Sequence, residues 1–252
     1  MQRYFVSDDL WDKNQVTIEG KDVHHIVRVM RMEQGTKIIC IHSQKGAALC
    51  EILEVTDETV IAGVIEWLDE NRELPVDVTI VQSLGKGDKM EQVVQKGTEL
   101  GAHRFIPFAA DRSVAKWDSK KIGKKIERLE KIAKEASEQS ERMHIPMIST
   151  MHKLQDLVKL SDDFTYCFFG YAESARQSVS LSLHDHLKHV APGDSVLVVF
   201  GPEGGLSDEE VSAFKNHGFE SIRLGRRILR METAPLYFLS SLSYQLEEQG
   251  QL

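Results

Sequence analysis

The chain has 252 residues, 41% apolar and 28% charged, a balance that excludes disordered, collagen-like and low-complexity classes and fits a globular protein of one or two domains. Its 31 basic and 39 acidic residues give a net charge of −8, which by its sum argues against a polyanionic partner. No apolar run approaches the ~20 residues of a membrane helix. Met1-Gln2-Arg3-Tyr4 leads into Asp8-Asp9 rather than a basic-then-apolar stretch, so no signal peptide is expected. Cys40, Cys50 and Cys167 are scattered, without metal-ligand spacing, and read as small apolar residues in a reducing cytoplasm.

Residues 15–18, 36–42, 48–55 and 60–67 read as short strands separated by turns at Gly35, Lys45-Gly46 and Asp57-Glu58, with one helical pattern at 22–32. That spacing suggests a small barrel or curled sheet, and Pro75 marks a boundary after it. From Val76 the texture changes to alternating strands and helices: strand 76–82, helix 86–100, strand 104–108, long helix 119–140, strand 145–150 and short helix 152–158. There follow strand 165–169, a helical stretch near 180–189, strand 195–200, helix 207–217, strand 219–224 and helix 233–248. Such alternation implies a parallel sheet covered on both faces.

The charge is unevenly distributed. Residues 112–134 hold nine basic residues against three acids, and 223–230 carry Arg223, Arg226, Arg227 and Arg230 with no acid. A polyanion meets this local field, because charges farther than a Debye length of ~8–10 Å are screened. A solvated helix face would account for the lysine run by itself, so RNA binding needs a second line of evidence.

A buried strand running into Gly201-Pro202-Glu203-Gly204-Gly205-Leu206 and then a helix is the strongest site signal, since ligands of open α/β sheets sit beyond the carboxyl ends of strands. Ser207 and Glu210 form an S-x-x-E capping box, with Asp208 and Glu209 in the same turn. Those carboxylates occupy the positive helix end, which makes a phosphate a poor guest and favours a neutral or cationic ligand. The loop matches neither the Walker pattern nor G-x-G-x-x-G. The second signal is Leu224-Gly225-Arg226-Arg227-Ile228-Leu229-Arg230-Met231-Glu232-Thr233-Ala234-Pro235, with Thr233 expected to cap a helix whose first turn holds Pro235. Guanidinium forks there suit phosphates or carbonyl oxygens. His184-x-His186-x-x-His189 lacks cysteine partners and i, i+4 pairing, so no metal is expected.

Together the glycine loop and the arginine loop resemble the cofactor motifs of SPOUT-superfamily methyltransferases. Lys96-x-x-Glu99-Leu100-Gly101, Arg112-Ser113, Glu138-Gln139-x-x-Arg142, Ile145-Pro146 and His24-His25-x-x-x-Val29-Met30-Arg31 narrow this resemblance to the ribosomal small subunit methyltransferase E family. The resemblance covers nearly the whole chain. It implies a PUA-like β-barrel RNA-binding domain at 1–72 and a trefoil-knotted α/β methyltransferase domain at 73–252. It also implies S-adenosylmethionine as cofactor, N3 of a uridine in 16S rRNA of the small ribosomal subunit as target, a role in ribosome biogenesis, a cytoplasmic location and a homodimer. The family pattern carries over, as cofactor-binding positions, to Tyr171, Ala172, Glu173, Phe200, Gly201, Pro202, Glu203, Gly204, Gly205, Leu224, Gly225, Ile228, Leu229 and Thr233. Asp111 stands where the family commonly has glutamate, and Met231 where a smaller residue is usual.

A positive sulfonium without phosphate suits a glycine loop bearing Glu203 beside an acidic helix start. Methylation at N3 requires its proton to leave, and an arginine beside a uracil oxygen would stabilise the charge that develops. Arg230 is expected as that clamp with Arg142 second, and Glu138 and Glu232 are candidate proton acceptors. RNA contact is expected at Arg28, Arg31, Arg112, Lys116, Lys120 and Lys124. The rival readings are a SPOUT enzyme acting on a ribose 2′-hydroxyl or another base, a non-catalytic RNA-binding assembly factor, and an enzyme with a phosphate-bearing cofactor, the last disfavoured by the acidic helix start.

Overall fold

The computed structural model describes residues 1–171 and 181–249. The chain divides into two compact units, one of Met1–Glu73 with Ser137–His144 and one of Leu74–Ala136 with Ile145–Leu252. A single cut near Pro75 does not reproduce this division, because a segment far along the chain joins the first unit.

In the first unit, β1 (Arg3–Phe5), β2 (Trp11–Asp12), β3 (Gln15–Glu19), β4 (Lys37–His42), β5 (Gly46–Val55) and β6 (Thr59–Trp67) form one sheet in the order β1-β4-β5-β6-β3-β2. β1 joins β4 in parallel and the other pairs are antiparallel. β1 and β2 are too short to show an alternating pattern, which is why the sequence reading lacks them. The helical pattern at 22–32 splits into α1 (Lys21–His24) and one π-helical turn (His25–Val29). Tyr4, Val16, Ile18, Ile26, Ile38, Cys40, Cys50, Ile52 and Val60 pack into a single core on one face of this sheet. Burial pushes the Tyr4 hydroxyl well above the ordinary tyrosine range.

The other face of β4 and β5 carries Ile39, Ile41 and Ala47, and Leu68 and Met143 cover it. That apolar contact draws Ser137–His144 into the first unit, and charge fastens it. Arg142, 2% exposed, sends Nε 3.0 Å to Oε2 of Glu73, and its Nη2 also donates to that carboxylate. Glu73 Oε1 further accepts the backbone N–H groups of Met143 and His144 at 2.8 and 3.1 Å. Buried Arg3 likewise bonds Glu70 at 2.6 Å and lies 3.6 Å from Glu141.

In the second unit, six strands are all parallel: β7 (Asp77–Ser83), β8 (Arg104–Phe108), β9 (Met147–Ile148), β10 (Tyr166–Gly170), β11 (Ser195–Phe200) and β12 (Glu220–Ile222), in the order β12-β10-β11-β7-β8-β9. The connecting helices are α2 (Lys89–Glu99), α3 (Ile122–Gln139), α4 (Leu154–Lys159), α5 (Leu183–Leu187), α6 (Asp208–Asn216) and α7 (Thr233–Ser243). Both faces of the sheet are buried, as a parallel sheet requires. Val78, Ile80, Val196, Val198 and Phe200 enter one core with residues of α2, α3, α5 and α7. Val81, Ile106, Leu197 and Val199 enter the other with residues of α4 and α6.

Two local expectations change. Thr233 does not cap α7; Glu232 holds the N-cap position in right-handed helical geometry, and the Arg230 carbonyl accepts from the N–H groups of Thr233 and Ala234. The chain is already wound into a turn there, so the extended backbone that a side-chain cap needs is lacking. The helical stretch near 180–189 contracts to α5, started by a capping box between Ser182 and Asp185, whose carboxyl the Ser182 hydrogen bonds lower to about 2.

Glu73→Ala removes the carboxylate bound to a buried guanidinium and should destabilise the first unit by about 3 kcal/mol. Chemical denaturation followed by tryptophan fluorescence measures this, since Trp11 and Trp67 lie in that unit. An unchanged midpoint would contradict the role given to Arg142.

Candidate active site

Strand connectivity decides where a site can form. From β7 the chain proceeds through β8 to β9 on one side; β10, β11 and β12 lie on the other, so the order reverses between β7 and β11. Crevices open at such switch points, beyond the carboxyl ends of the strands. Ser83 Oγ, at the end of β7, donates 2.7 Å to the carbonyl of Phe200, at the end of β11, and joins the two edges.

A cavity of about 630 Å³ lies there, within the ~300–1,000 Å³ range of small-molecule sites. Its walls come from the ends of β10 (Gly170, Tyr171) and β11 (Phe200), the loop of residues 201–206, the end of β12 and the loop after it (Ile222, Leu224, Arg227, Ile228, Leu229, Arg230, Met231), with Lys89, Arg112, Asp208 and Ala234. The glycine loop turns through a Gly205 N–H to Pro202 carbonyl hydrogen bond of 2.9 Å, with Gly205 at φ +71°, a left-handed conformation that favours glycine.

α6 begins directly after this loop. Ser207 Oγ accepts the Glu210 N–H at 3.2 Å and the Ser207 N–H donates to Glu210 Oε2 at 2.7 Å, which is the expected capping box. The box reaches further than its four residues show. Glu210 Oε1 accepts the Asp111 N–H at 2.9 Å, and Ser207 Oγ donates to Asp111 Oδ2 at 2.7 Å. Asp111 is therefore a brace between the loop after β8 and the start of α6. Arg112 beside it donates from Nη1 to the Leu206 carbonyl at 3.0 Å. The arginine expected on an RNA-binding face thus holds the glycine loop and lines the cavity.

The arginine loop presents Arg226, Arg227 and Arg230 with exposed side chains, and Ile228 is 62% exposed. Arg227 and Arg230 reach the cavity wall. Lys89, at the start of α2, places Nζ 2.7 Å from Oε1 of Glu203 and 3.5 Å from Oε2 of Glu232. The ammonium holds the Glu203 carboxyl below the usual glutamate value, and Glu203 raises the Lys89 ammonium above the usual lysine value.

The structure brings Tyr171, Phe200, Gly201, Pro202, Glu203, Gly204, Gly205, Leu224, Ile228, Leu229 and Arg230 together around this cavity. Gly225 and Thr233 adjoin it in sequence without lining it, and Ala172 and Glu173 lie outside the described residues. The Arg142 guanidinium is buried in the first unit against Glu73, and Glu138 belongs to the same segment. Arg28 and Arg31 also lie in the first unit, with Arg28 paired to Asp57 at 2.8 Å. Lys116, Lys120 and Lys124 are exposed, before and at the start of α3. The sequence reading missed Lys89, whose only signal is its place one turn beyond the carboxyl end of β7.

The described geometry agrees with relationships to known proteins. A family model described as an RNA methyltransferase domain matches residues 72–243, and one described as an RNA methyltransferase PUA domain matches 18–65. Ribosomal RNA small subunit methyltransferase E of Bacillus subtilis (strain 168) is 48% identical over 250 residues, 98% of each chain. The chain belongs to the ribosomal RNA small subunit methyltransferase E family. A crystal structure described as that of a hypothetical protein matches at 46% identity with a TM-score of 0.90, covering 98% of this chain and 100% of that one. A methyltransferase of Legionella pneumophila, solved with its bound cofactor SAM, matches at 29% identity with a TM-score of 0.83 over 96% of each chain. The α/β architecture with a PUA-like N-terminal unit is thus the architecture of this methyltransferase family.

The two pKa directions set the pH window of the Lys89–Glu203 link. A depressed carboxyl contributes above its unfolded value and loses that contribution as pH falls through the folded one; a raised ammonium does the reverse at the alkaline end. The link should therefore persist across the neutral range. Carbon-13 NMR titration should place the Glu203 midpoint below that of an exposed glutamate, and an ordinary midpoint would mean that the pair does not persist in solution.

Proposed function

We propose that this chain transfers a methyl group from S-adenosylmethionine to N3 of a uridine in 16S rRNA of the small ribosomal subunit. The cavity at the carboxyl ends of β10, β11 and β12 carries the reading. Apolar side chains of Phe200, Leu206, Leu224, Ile228 and Leu229 suit a nucleoside, and the backbone of residues 201–205 permits close approach. Asp208 at the cavity suits a positive sulfonium, and the capped, acidic start of α6 disfavours a phosphate at that helix end. When bound, the cofactor supplies an electrophilic methyl carbon.

The chain's own groups then have separate tasks. Arg230, exposed at the cavity wall, donates to a uracil carbonyl oxygen and stabilises the negative charge that appears there as the N3 proton leaves. Glu232 belongs to the same loop and is assigned as the acceptor of that proton. Domain 1–72 is assigned to RNA binding and 73–252 to methyl transfer. In the first, Arg31 holds a left-handed φ of +51° beside exposed Val29 and Met30, and strained backbone at an exposed tip supports a contact role for Arg28 and Arg31. In the second, Lys116, Lys120 and Lys124 are exposed and are assigned to RNA contact.

A trefoil knot is part of this reading, supported by the path of the chain. It leaves β12 at the sheet edge, and after the arginine loop it packs Met231 against the turn after β7 and Leu239 of α7 against Gly97 of α2. A homodimer is supported by a groove of about 410 Å³ between α5 and α7, where Tyr244 is 58% exposed. An rRNA substrate supports a cytoplasmic location and a role in ribosome biogenesis.

Incubation with labelled S-adenosylmethionine and small subunits lacking the modification, followed by nucleoside mass spectrometry, should yield 3-methyluridine. A 2′-O-methylated or other product would replace the assigned target, and cofactor binding without transfer would favour an assembly factor. Arg230→Ala should lower kcat by about 10²-fold while cofactor affinity changes less than about threefold. Retention of most of kcat would remove the clamp. Replacing Lys116, Lys120 and Lys124 by glutamine should flatten the salt dependence of RNA binding by up to about one slope unit per lysine, and an unchanged slope would take them out of the interface.

A further inference from the structure

Two carboxylates from different loops share one ammonium at the cavity. Glu203 lies in the loop after β11, and Glu232 ends the loop after β12. Lys89 stands between them at 2.7 and 3.5 Å, on a helix anchored in the core by Met90, Val93 and Val94. Glu232 Oε2 is buried and has no hydrogen-bond partner among the described residues, so the ammonium is the charge that compensates it. The seat of this arrangement is mechanical as well as electrostatic. A Cβ on Gly85 would lie 2.7 Å from Met231 Sδ and 3.2 Å from Lys89 Cδ. The turn after β7 therefore fits closely beneath both the Met231 side chain of the arginine loop and the stem of Lys89.

We propose that Lys89 is a positioning residue for methyl transfer, a single cation on α2 that fixes the glycine loop through Glu203 and the arginine loop through Glu232 in one geometry. This rests on the methyltransferase reading above for its catalytic consequence. Without the ammonium the two carboxylates repel, Glu232 keeps a buried uncompensated charge, and the loops separate. The cofactor wall and the Arg230 clamp then lose their common reference. Lys86 also lowers the Glu203 carboxyl through its charge, but of these two cations Lys89 is the one within 4 Å of both Glu203 and Glu232.

The test compares Lys89→Gln, Lys89→Arg and Lys86→Gln in the full-length protein. Hydrogen–deuterium exchange without ligand should show amides of residues 201–206 and of 226–232 exchanging at least about threefold faster in Lys89→Gln, together, with wild-type rates in Lys89→Arg and little change in Lys86→Gln. S-adenosylmethionine affinity by calorimetry should fall about tenfold in Lys89→Gln, with kcat falling further than affinity, and Lys89→Arg should recover most of both. In a cycle, Glu203→Gln and Glu232→Gln should be non-additive with Lys89 present and additive in Lys89→Gln. Wild-type exchange in either loop of Lys89→Gln, or the same losses in Lys86→Gln, would overturn the proposal. The exchange readout needs no substrate, so a wild-type protein that failed to methylate rRNA would remove the functional reading while exchange still decided for or against the clasp.

Discussion

Six parallel strands must each be re-entered from the same end, so every turn that follows a strand collects on one side of the sheet. In this chain the order reverses between β7 and β11, and the Ser83–Phe200 hydrogen bond ties those strands at the point of reversal. The turn after β7, the loop after β11 and the loop after β12 therefore converge without any special attraction between them. Attraction enters afterwards, in the fine geometry: Arg112 on the loop carbonyls, Asp111 on the capped helix start and Lys89 between Glu203 and Glu232. The sheet brings the loops near, and charge-assisted bonds set their positions.

The carboxylates at this site also select the ligand class. An unfilled helix start beside a glycine loop is a phosphate site. Here Glu210 accepts the N–H groups of Ser207 and Asp111, and Asp208 adds a further negative charge at the same turn. An anion would meet repulsion where a nucleotide-binding protein offers free donors. The same acids are neutral toward an uncharged nucleoside and favourable to a cation, which is the combination S-adenosylmethionine presents.

Local features were legible in the sequence where their cause is local. The capping box of Ser207 and Glu210, the apolar strands β10 and β11 and the positive-φ Gly205 each follow from a few adjacent residues. What escaped depends on partners far along the chain. Arg142 was expected second to Arg230 as the clamp, and its bond to Glu73, 69 positions earlier, is not visible from the residues around it. Lys89 looked like any surface lysine, because Glu203 is 114 positions later. Arg112 was read by its charge, whereas its geometry directs it to backbone oxygens of a loop brought beside it by the sheet. Thr233 matched a capping residue in type, but the backbone before it is already helical.

A net charge of −8 and an RNA substrate are compatible once the charges are placed. At the cavity Glu203 is paired with the Lys89 ammonium. In the first unit Glu73 and Glu70 are committed to buried arginines. These carboxylates contribute to the sum but project little field, because each is neutralised or screened within a few ångströms. Arg226, Arg227 and Arg230 stay exposed on one loop, and Lys116, Lys120 and Lys124 stay exposed before and along the start of α3. The field a phosphate backbone meets is set by those solvent-facing cations, so the global sum has little bearing on where RNA can bind.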